Sequence, residues 1–114
     1  SWQAYFEQDY IGLDRVSGNR TLLDRELAHL TPARPSICET RHVTTMLGMV
    51  EAGIGIAAVP AMSMPAGEHS VLRAVPLTDP VVTRTVGLIR LSGRIQSYVA
   101  AELEKLIIEQ YPSG

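Results

Sequence analysis

The chain has 114 residues, of which 46% are hydrophobic and 19% are charged, and its formal net charge is −2. That is enough chain for one globular domain with a buried core. The 10 lysines and arginines are scattered and do not form the basic face of a nucleic-acid-binding domain. No apolar run reaches the roughly 18 residues of a membrane span. The single cysteine excludes an internal disulfide and, with no secretory leader, favours the cytoplasm.

The first elements are predicted to be a strand and the helix that follows it. Residues 2–6 are rich in aromatic side chains and are expected to cover the end of a strand at residues 10–13. Ser17 is a suitable N-cap for a helix that begins at Gly18 or Asn19. That helix presents an apolar stripe at helical spacing and ends where Thr31–Pro32 disfavours helical geometry. The stripe consists of Leu23, Leu27 and Leu30.

The centre of the chain repeats this strand–helix order. A second strand is predicted at residues 35–39, followed by a helix with Thr40 as its cap. The apolar spacing continues to Val50, and Gly53 then ends the helix in a left-handed conformation. Residues 54–59 form a short apolar run before Pro60, which predicts a fully buried strand.

The remaining segments predict two more strands and a last helix. Residues 71–77 are interpreted as an edge strand, because Pro76 cannot donate to a central ladder. Residues 81–91 alternate and are rich in β-branched side chains, which predicts an unusually long strand. A closing helix runs from Gln96 or Ser97 to Gln110. This element order predicts an α/β fold with a mostly parallel sheet and helices on both faces.

Polar residues lie at both predicted strand-to-helix junctions. Ligands of open α/β sheets bind at the carboxyl ends of strands, and helix N-termini favour anions. The two junctions are therefore expected to flank one wall of a cleft that suits a small anion. From the residues alone, an alternative stays open. In it, the helix start is an ordinary cap with solvated side chains, and His42 is a surface histidine. The candidate ligand-binding residues are Ser17, Gly18, Asn19, Thr40, Arg41, His42, Val43 and Thr44.

Cysteine or carboxylate chemistry is the remaining possibility for this region. An enzyme would have to use His42 with Cys38 or Glu39, but nothing supplies an oxyanion hole or a third orienting group. Cys38 is better interpreted as a small hydrophobe of the core. The histidines show no metal-ligand spacing, so we expect no metal, no cofactor and no catalysis.

One segment resembles a known family. Residues 47–60 read LGMVEAGIGIAAVP and resemble the signature of the effector-binding domain of LysR-type transcriptional regulators. The surrounding order is similar too, with YIGLDRVSGNR at 10–20, RTVGLIR at 84–90 and a closing helix. The resemblance extends over nearly the whole chain.

The resemblance implies an architecture like that of a type II periplasmic binding protein, with two subdomains joined by crossing strands. Residues 1–82 would be the second subdomain. Residues 83–114 would be the return crossover strand and C-terminal helix of the first, whose remainder lies outside this chain together with the DNA-binding domain. The candidate residues above would form one wall for a small-molecule effector, and nearby arginines favour an anionic one.

Two further expectations depend on this resemblance. The closing helix has an apolar stripe that needs a cover, so we expect a homo-oligomer held by that helix, by the 83–91 strand, or by both. The alternative to a regulator is half of a periplasmic-type solute-binding protein of a transporter. The sequence upstream of Ser1 would separate the two.

Overall fold

The computed structural model describes residues 1–67 and 71–112. The chain separates into two compact units, a first unit at Ser1–Thr83 and a second unit at Arg84–Gly114. In the described part of the chain, no helix combines the length and the apolar character needed to cross a membrane.

The first unit is a small α/β structure around a parallel sheet. The strands lie in the order β2-β1-β3, and β1 pairs in parallel with both neighbours. This confirms the predicted α/β class and the parallel sheet. In chain order the elements are α1 (Trp2–Phe6), β1 (Tyr10–Leu13), α2 (Gly18–Glu26), β2 (Cys38–Thr40), α3 (Val43–Glu51), β3 (Ile56–Ala57) and a 3₁₀ turn (Ala61–Ser63).

Helices cover both faces of this sheet. Side chains alternate along β1, so neighbouring residues of this strand pack against helices on opposite faces. Tyr10 points to one face and packs with Trp2 and Tyr5 of α1 and with Leu27, just beyond α2. Ile11 and Leu13 point to the other face and pack with Met46 of α3. Met46 is 0% exposed and Ile11 1% exposed, so α3 covers the better-sealed side.

The second strand and the start of α3 differ from prediction by a few residues. β2 covers Cys38–Thr40 rather than residues 35–39. Thr40 pairs with Leu13, and its carbonyl accepts the Asp14 N–H at 3.0 Å, so Thr40 still belongs to the sheet. It therefore cannot begin a helix, and the prediction that Thr40 caps α3 was wrong. His42 is the N-cap residue.

The prediction of a fully buried strand at residues 54–59 was also wrong. Only Ile56–Ala57 forms β3, which lies at the edge of the sheet, and Ile54 and Ile56 are 46% and 41% exposed. A strand with one neighbour has one open edge, so apolar content alone does not bury it. Gly53 does end α3 as predicted, with φ 79°.

The predicted strands at residues 71–77 and 81–91 are not observed. Neither segment forms part of a ladder in the described part of the chain. An alternating pattern gives a segment one apolar and one polar face, but a β-strand also needs backbone hydrogen bonds to a neighbouring strand. Val86 and Leu91 are 64% and 69% exposed, which agrees with an unpaired segment.

The second unit is built on α4 (Tyr98–Gln110), the predicted closing helix. Its N-cap is Ser97, whose hydroxyl accepts the Ala100 N–H at 3.2 Å. A polar network ties the preceding segment to the helix, because Gln96 donates to Glu104 at 2.8 Å and accepts from Arg90 at 3.3 Å. Most of the predicted apolar stripe is exposed, with Val99 at 75%, Leu103 at 57% and Leu106 at 61%.

Candidate functional site

Asp14 joins the two strand-to-helix junctions at the carboxyl edge of the sheet. Its backbone N–H donates to Thr40, and its carbonyl accepts the Ser17 N–H at 3.1 Å. Its carboxylate lies 3.0 Å from Nε of Arg41. The start of α2 and the segment between β2 and α3 therefore meet at one place, as the order of elements predicted.

The predicted site residues occupy three kinds of position. Ser17 is the N-cap of α2, and Gly18 and Asn19 are its first residues. Thr40 ends β2, and the next two residues connect it to α3 with exposed side chains. Val43 differs from the rest, because its side chain packs against the core cluster beneath α3. Four residues of the group are exposed, namely Gly18, Arg41, His42 and Thr44, and Gly18 offers only its backbone.

Both helix N-termini at this edge lack a side-chain cap. Ser17 has extended geometry, φ −70° and ψ 129°, but its hydroxyl accepts no capping hydrogen bond from α2. His42 at the start of α3 makes no side-chain cap either. The first turn of a helix leaves backbone N–H groups without intrahelical partners and carries a partial positive charge. The edge is thus suited to hydrogen-bond an oxyanion.

The charged side chains at this edge are engaged with one another. Arg41 holds the pKa of the Asp14 carboxyl below its ordinary value, chiefly through its hydrogen bond to that carboxyl. Arg20 lies 2.9 Å from Asp24, four residues further along α2, and also 3.2 Å from Glu39. The Arg20 guanidinium donates in addition to the carbonyl of Leu13 at 2.9 Å. Arg20 therefore ties the first turn of α2 to the ends of β1 and β2.

The sequence analysis did not select Asp14 as a site residue, and it considered Glu39 only in the enzyme alternative. Asp14 is the first residue beyond β1, a position that itself marks the carboxyl edge of a parallel sheet. Glu39 required the register of β2, which places its side chain beside Gly12 and Arg20. The first could have been found from its position, and the second only from the sheet.

The cysteine-based alternative finds no support in the geometry. Cys38 is half-buried and packs against Ile11, Leu13 and Met46. Glu39 follows it on the strand and faces the opposite side of the sheet. Across residues 1–67 and 71–112, no group of three or more histidine, cysteine, aspartate or glutamate side chains is arranged to hold a metal ion.

Comparisons with known proteins give a consistent picture. The family model described as LysR substrate binding domain matches residues 1–112. The HTH-type transcriptional regulator YbhD of Escherichia coli (strain K12) is 38% identical over 107 residues, which cover 94% of this chain and 34% of that protein. The HTH-type transcriptional regulator YfeR of Shigella flexneri is 36% identical over 109 residues, which cover 96% of this chain and 35% of that protein. The chain thus spans about a third of the length of these curated relatives. No solved structure matches it significantly.

Proposed function

Because this chain belongs to the LysR substrate-binding domain family, we propose that it is the small-molecule effector-binding part of a LysR-type transcriptional regulator. The observation that carries this is the match over residues 1–112, together with two relatives that are HTH-type transcriptional regulators. Effector binding would change how a DNA-binding domain elsewhere in the protein meets its operator, in the cytoplasm. The chain itself would bind neither DNA nor a membrane.

The proposed architecture is of the type II periplasmic-binding-protein kind. Residues 1–82 form the second subdomain, and residues 83–114 supply the closing helix of the first and the return crossover segment, which would become a strand only when paired with the rest of that subdomain. The parallel sheet with helices on both faces supports this assignment. The division of the chain into compact units after Thr83 lies one residue from the proposed boundary, which also supports it.

The proposed ligand wall is the carboxyl edge of the sheet, and the proposed effector is an anion. Two helix N-termini without side-chain caps converge there, and Arg41 lies beside them. Carboxylate or phosphate oxygens are the groups that such backbone donors and a guanidinium bind well. Ser17, Gly18 and Asn19 form one side of this wall, and the residues from Thr40 to Thr44 form the other.

The alternative assignment to a transporter's solute-binding protein has less support. Both relatives described above carry the name of a regulator. Nor do we propose an enzyme, since Cys38 packs against the core of the α3 face. A binding module without catalysis is the function that the family and the geometry support together.

The ligand wall can be tested by titrating the chain with acetate and with acetamide, an uncharged molecule of similar shape. Amide chemical shifts of Gly18 and Thr44, one in each helix N-terminus, report on binding. We expect acetate to shift both signals and to bind at least about tenfold more tightly than acetamide. Arg41→Ala should weaken acetate binding, whereas Arg25→Ala, which removes an exposed arginine paired with Glu26 far from the edge, should not.

Equal shifts with acetate and acetamide would exclude an anion site at this edge. Equal effects of the two arginine variants would show that Arg41 acts only through net charge. In the intact regulator, Arg41→Ala should weaken the response to effector while leaving operator binding near normal, because the arginine lies in the ligand wall and not in the DNA-binding domain.

A further inference from the structure

A cavity of the first unit lies beneath α2 and extends to Arg20 and Glu39, next to the proposed effector wall. Its volume is about 660 Å³, which falls in the range of roughly 300–1,000 Å³ that is usual for small-molecule sites. None of the residues assigned to the effector wall lines it. Its lining combines aromatic rings, including Trp2, Tyr5 and Tyr10, with the side chains of Leu23, Leu27 and Leu30, and these residues belong to or pack against one core cluster.

Hydrogen bonds at the polar ends of three aromatic rings hold this part of the cavity lining in place. Trp2 Nε1 donates to the carbonyl of Pro80 at 2.9 Å, and the Tyr10 hydroxyl donates to the carbonyl of Arg34 at 2.9 Å. The Tyr5 hydroxyl accepts the Ala58 N–H at 3.1 Å. Tyr5 also packs edge-on against Trp2, with ring centroids 5.6 Å apart. Rings fixed in this way do not turn into the empty space, so the cavity is preformed.

Among the lining residues, a glycine lets a neighbouring residue approach the middle strand closely. Gly12 lies in the middle strand, and a Cβ at this position would be 3.2 Å from both Cβ and Oγ of Ser36. That contact is tighter than ordinary packing, so a side chain here would displace Ser36, which also lines the cavity. The absence of a side chain at Gly12 therefore lets Ser36 pack closely against the middle strand.

The charged residues that line the cavity are two arginines and two carboxylates, Arg20, Arg34, Asp24 and Glu39, and each of them is in an ion pair. Arg20 is paired with both Asp24 and Glu39, and Arg34 is paired with Asp9 at 2.9 Å. Among the described residues, no buried side-chain nitrogen or oxygen lacks a hydrogen-bond partner. A charged ligand would lose part of its hydration and would have to compete with these ion pairs for a counter-charge, whereas a neutral aromatic ligand would gain apolar contact.

We propose that this cavity is a second ligand site, which binds a small neutral molecule with one or two aromatic rings. The binding step does not depend on the proposed effector function. Arg20 lines the cavity and also hydrogen-bonds to Leu13 at the carboxyl edge. A ligand beneath α2 therefore contacts the same helix whose N-terminus belongs to the effector wall, and its binding stabilises the position of that N-terminus.

The experiment compares three probes that share one ring and differ in charge: benzyl alcohol, benzoate and benzylamine. Trp2 is the one tryptophan of the chain and lines the cavity, so its fluorescence reports on occupancy. We expect benzyl alcohol to change the fluorescence and to bind at least about tenfold more tightly than either charged probe. The amide signal of Gly12, which also lines the cavity, should shift with the same affinity.

A pair of variants on α2 tests the location. Leu23→Phe places extra bulk in the cavity and should weaken benzyl alcohol binding about tenfold, whereas Leu22→Phe, on a neighbouring residue that does not line the cavity, should leave it unchanged. Ala28→Met, at another lining position, is the second variant if Leu23→Phe does not fold. The comparison of probes on the unmodified chain needs neither variant.

Similar affinities for the three probes, or equal weakening by Leu22→Phe and Leu23→Phe, would overturn the proposal. So would an absence of benzyl alcohol binding, including the case in which light scattering shows that a second copy of the chain covers the cavity. The acetate titration on the same sample reads Gly18 and Thr44 separately. Failure of the effector wall and failure of the aromatic site are therefore distinguishable.

Discussion

Two glycines of the segment 47–60 are expected to respond in opposite ways to the same substitution. A Cβ on Gly55 would lie 2.4 Å from the carbonyl oxygen of Asp9, where ordinary contact begins at 3.4 Å, so that oxygen would have to retreat by about 1 Å. The same oxygen accepts the Ile56 N–H at 2.9 Å, in the pairing between β1 and β3. Gly48 lies within α3, and a Cβ there meets nothing within 4 Å.

The expected magnitudes follow from these contacts. Gly55→Ala should lower the free energy of unfolding by about 2–4 kcal/mol, because overpacking costs roughly 1–3 kcal/mol and a lost hydrogen bond roughly 0.5–1.5 kcal/mol. Gly48→Ala should raise it by about 0.5–1 kcal/mol, since alanine loses less conformational entropy in a helix. Urea denaturation followed by circular dichroism measures both changes. Equal stability of the Gly55→Ala variant and the unmodified chain would show that the Asp9 carbonyl moves aside at no cost. The close approach of Gly55 would then not contribute to the free energy of unfolding.

Three further predictions concern other parts of the chain. Tyr5→Phe leaves the Ala58 N–H without its acceptor in a partly buried place, so thermal denaturation should show a loss of about 1–2 kcal/mol. Arg41 lowers the pKa of Asp14, so this pair stabilises the folded chain above the ordinary aspartate pKa, and the contribution is lost as pH falls through the lowered value. Asp14→Asn should remove that part of the acid dependence in urea titrations between roughly pH 2 and 5, and an unchanged acid limb would contradict the assignment. The exposed stripe of α4 should hold the chain in a dimer or higher oligomer; a monomer by light scattering at high micromolar concentration would show that the stripe needs no partner.

The elements that the sequence predicted well are those decided by neighbouring residues. The apolar spacing of α3 and the glycine that ends it act within a few residues of each other, and so does the Ser97 cap of α4. Strands depend on partners that are distant in sequence. The alternating segments at 71–77 and 81–91 have suitable side chains and no ladder in the described part of the chain, so their pattern predicted strands that do not form.

The candidate site divides in the same way. The order of strands and helices along the chain predicted that the helix N-termini lie at the carboxyl edge of the sheet, because strand-to-helix junctions can be recognised in the sequence. The ion pair between Asp14 and Arg41 joins residues 27 positions apart, and nothing local predicts it. The cavity beneath α2 was missed for a related reason. Its walls come from α1, from α2 and the segment after it, and from the sheet, so the space is not a property of any one stretch.

The ion pairs also change the reason for expecting an anion at the carboxyl edge. The arginines near this edge are Arg15, Arg20 and Arg41, and Asp14, Asp24 and Glu39 lie among them, so side-chain charge alone favours neither sign. What remains is the partial positive charge of two helix N-termini, roughly half a unit each, which is fixed by the backbone and is not removed by a side-chain partner. An anion that contacts Arg41 must share it with Asp14. In the proposed site, the backbone N–H groups of α2 and α3 would therefore provide the preference for an anion, and Asp14 would set how much of the Arg41 charge the anion can use.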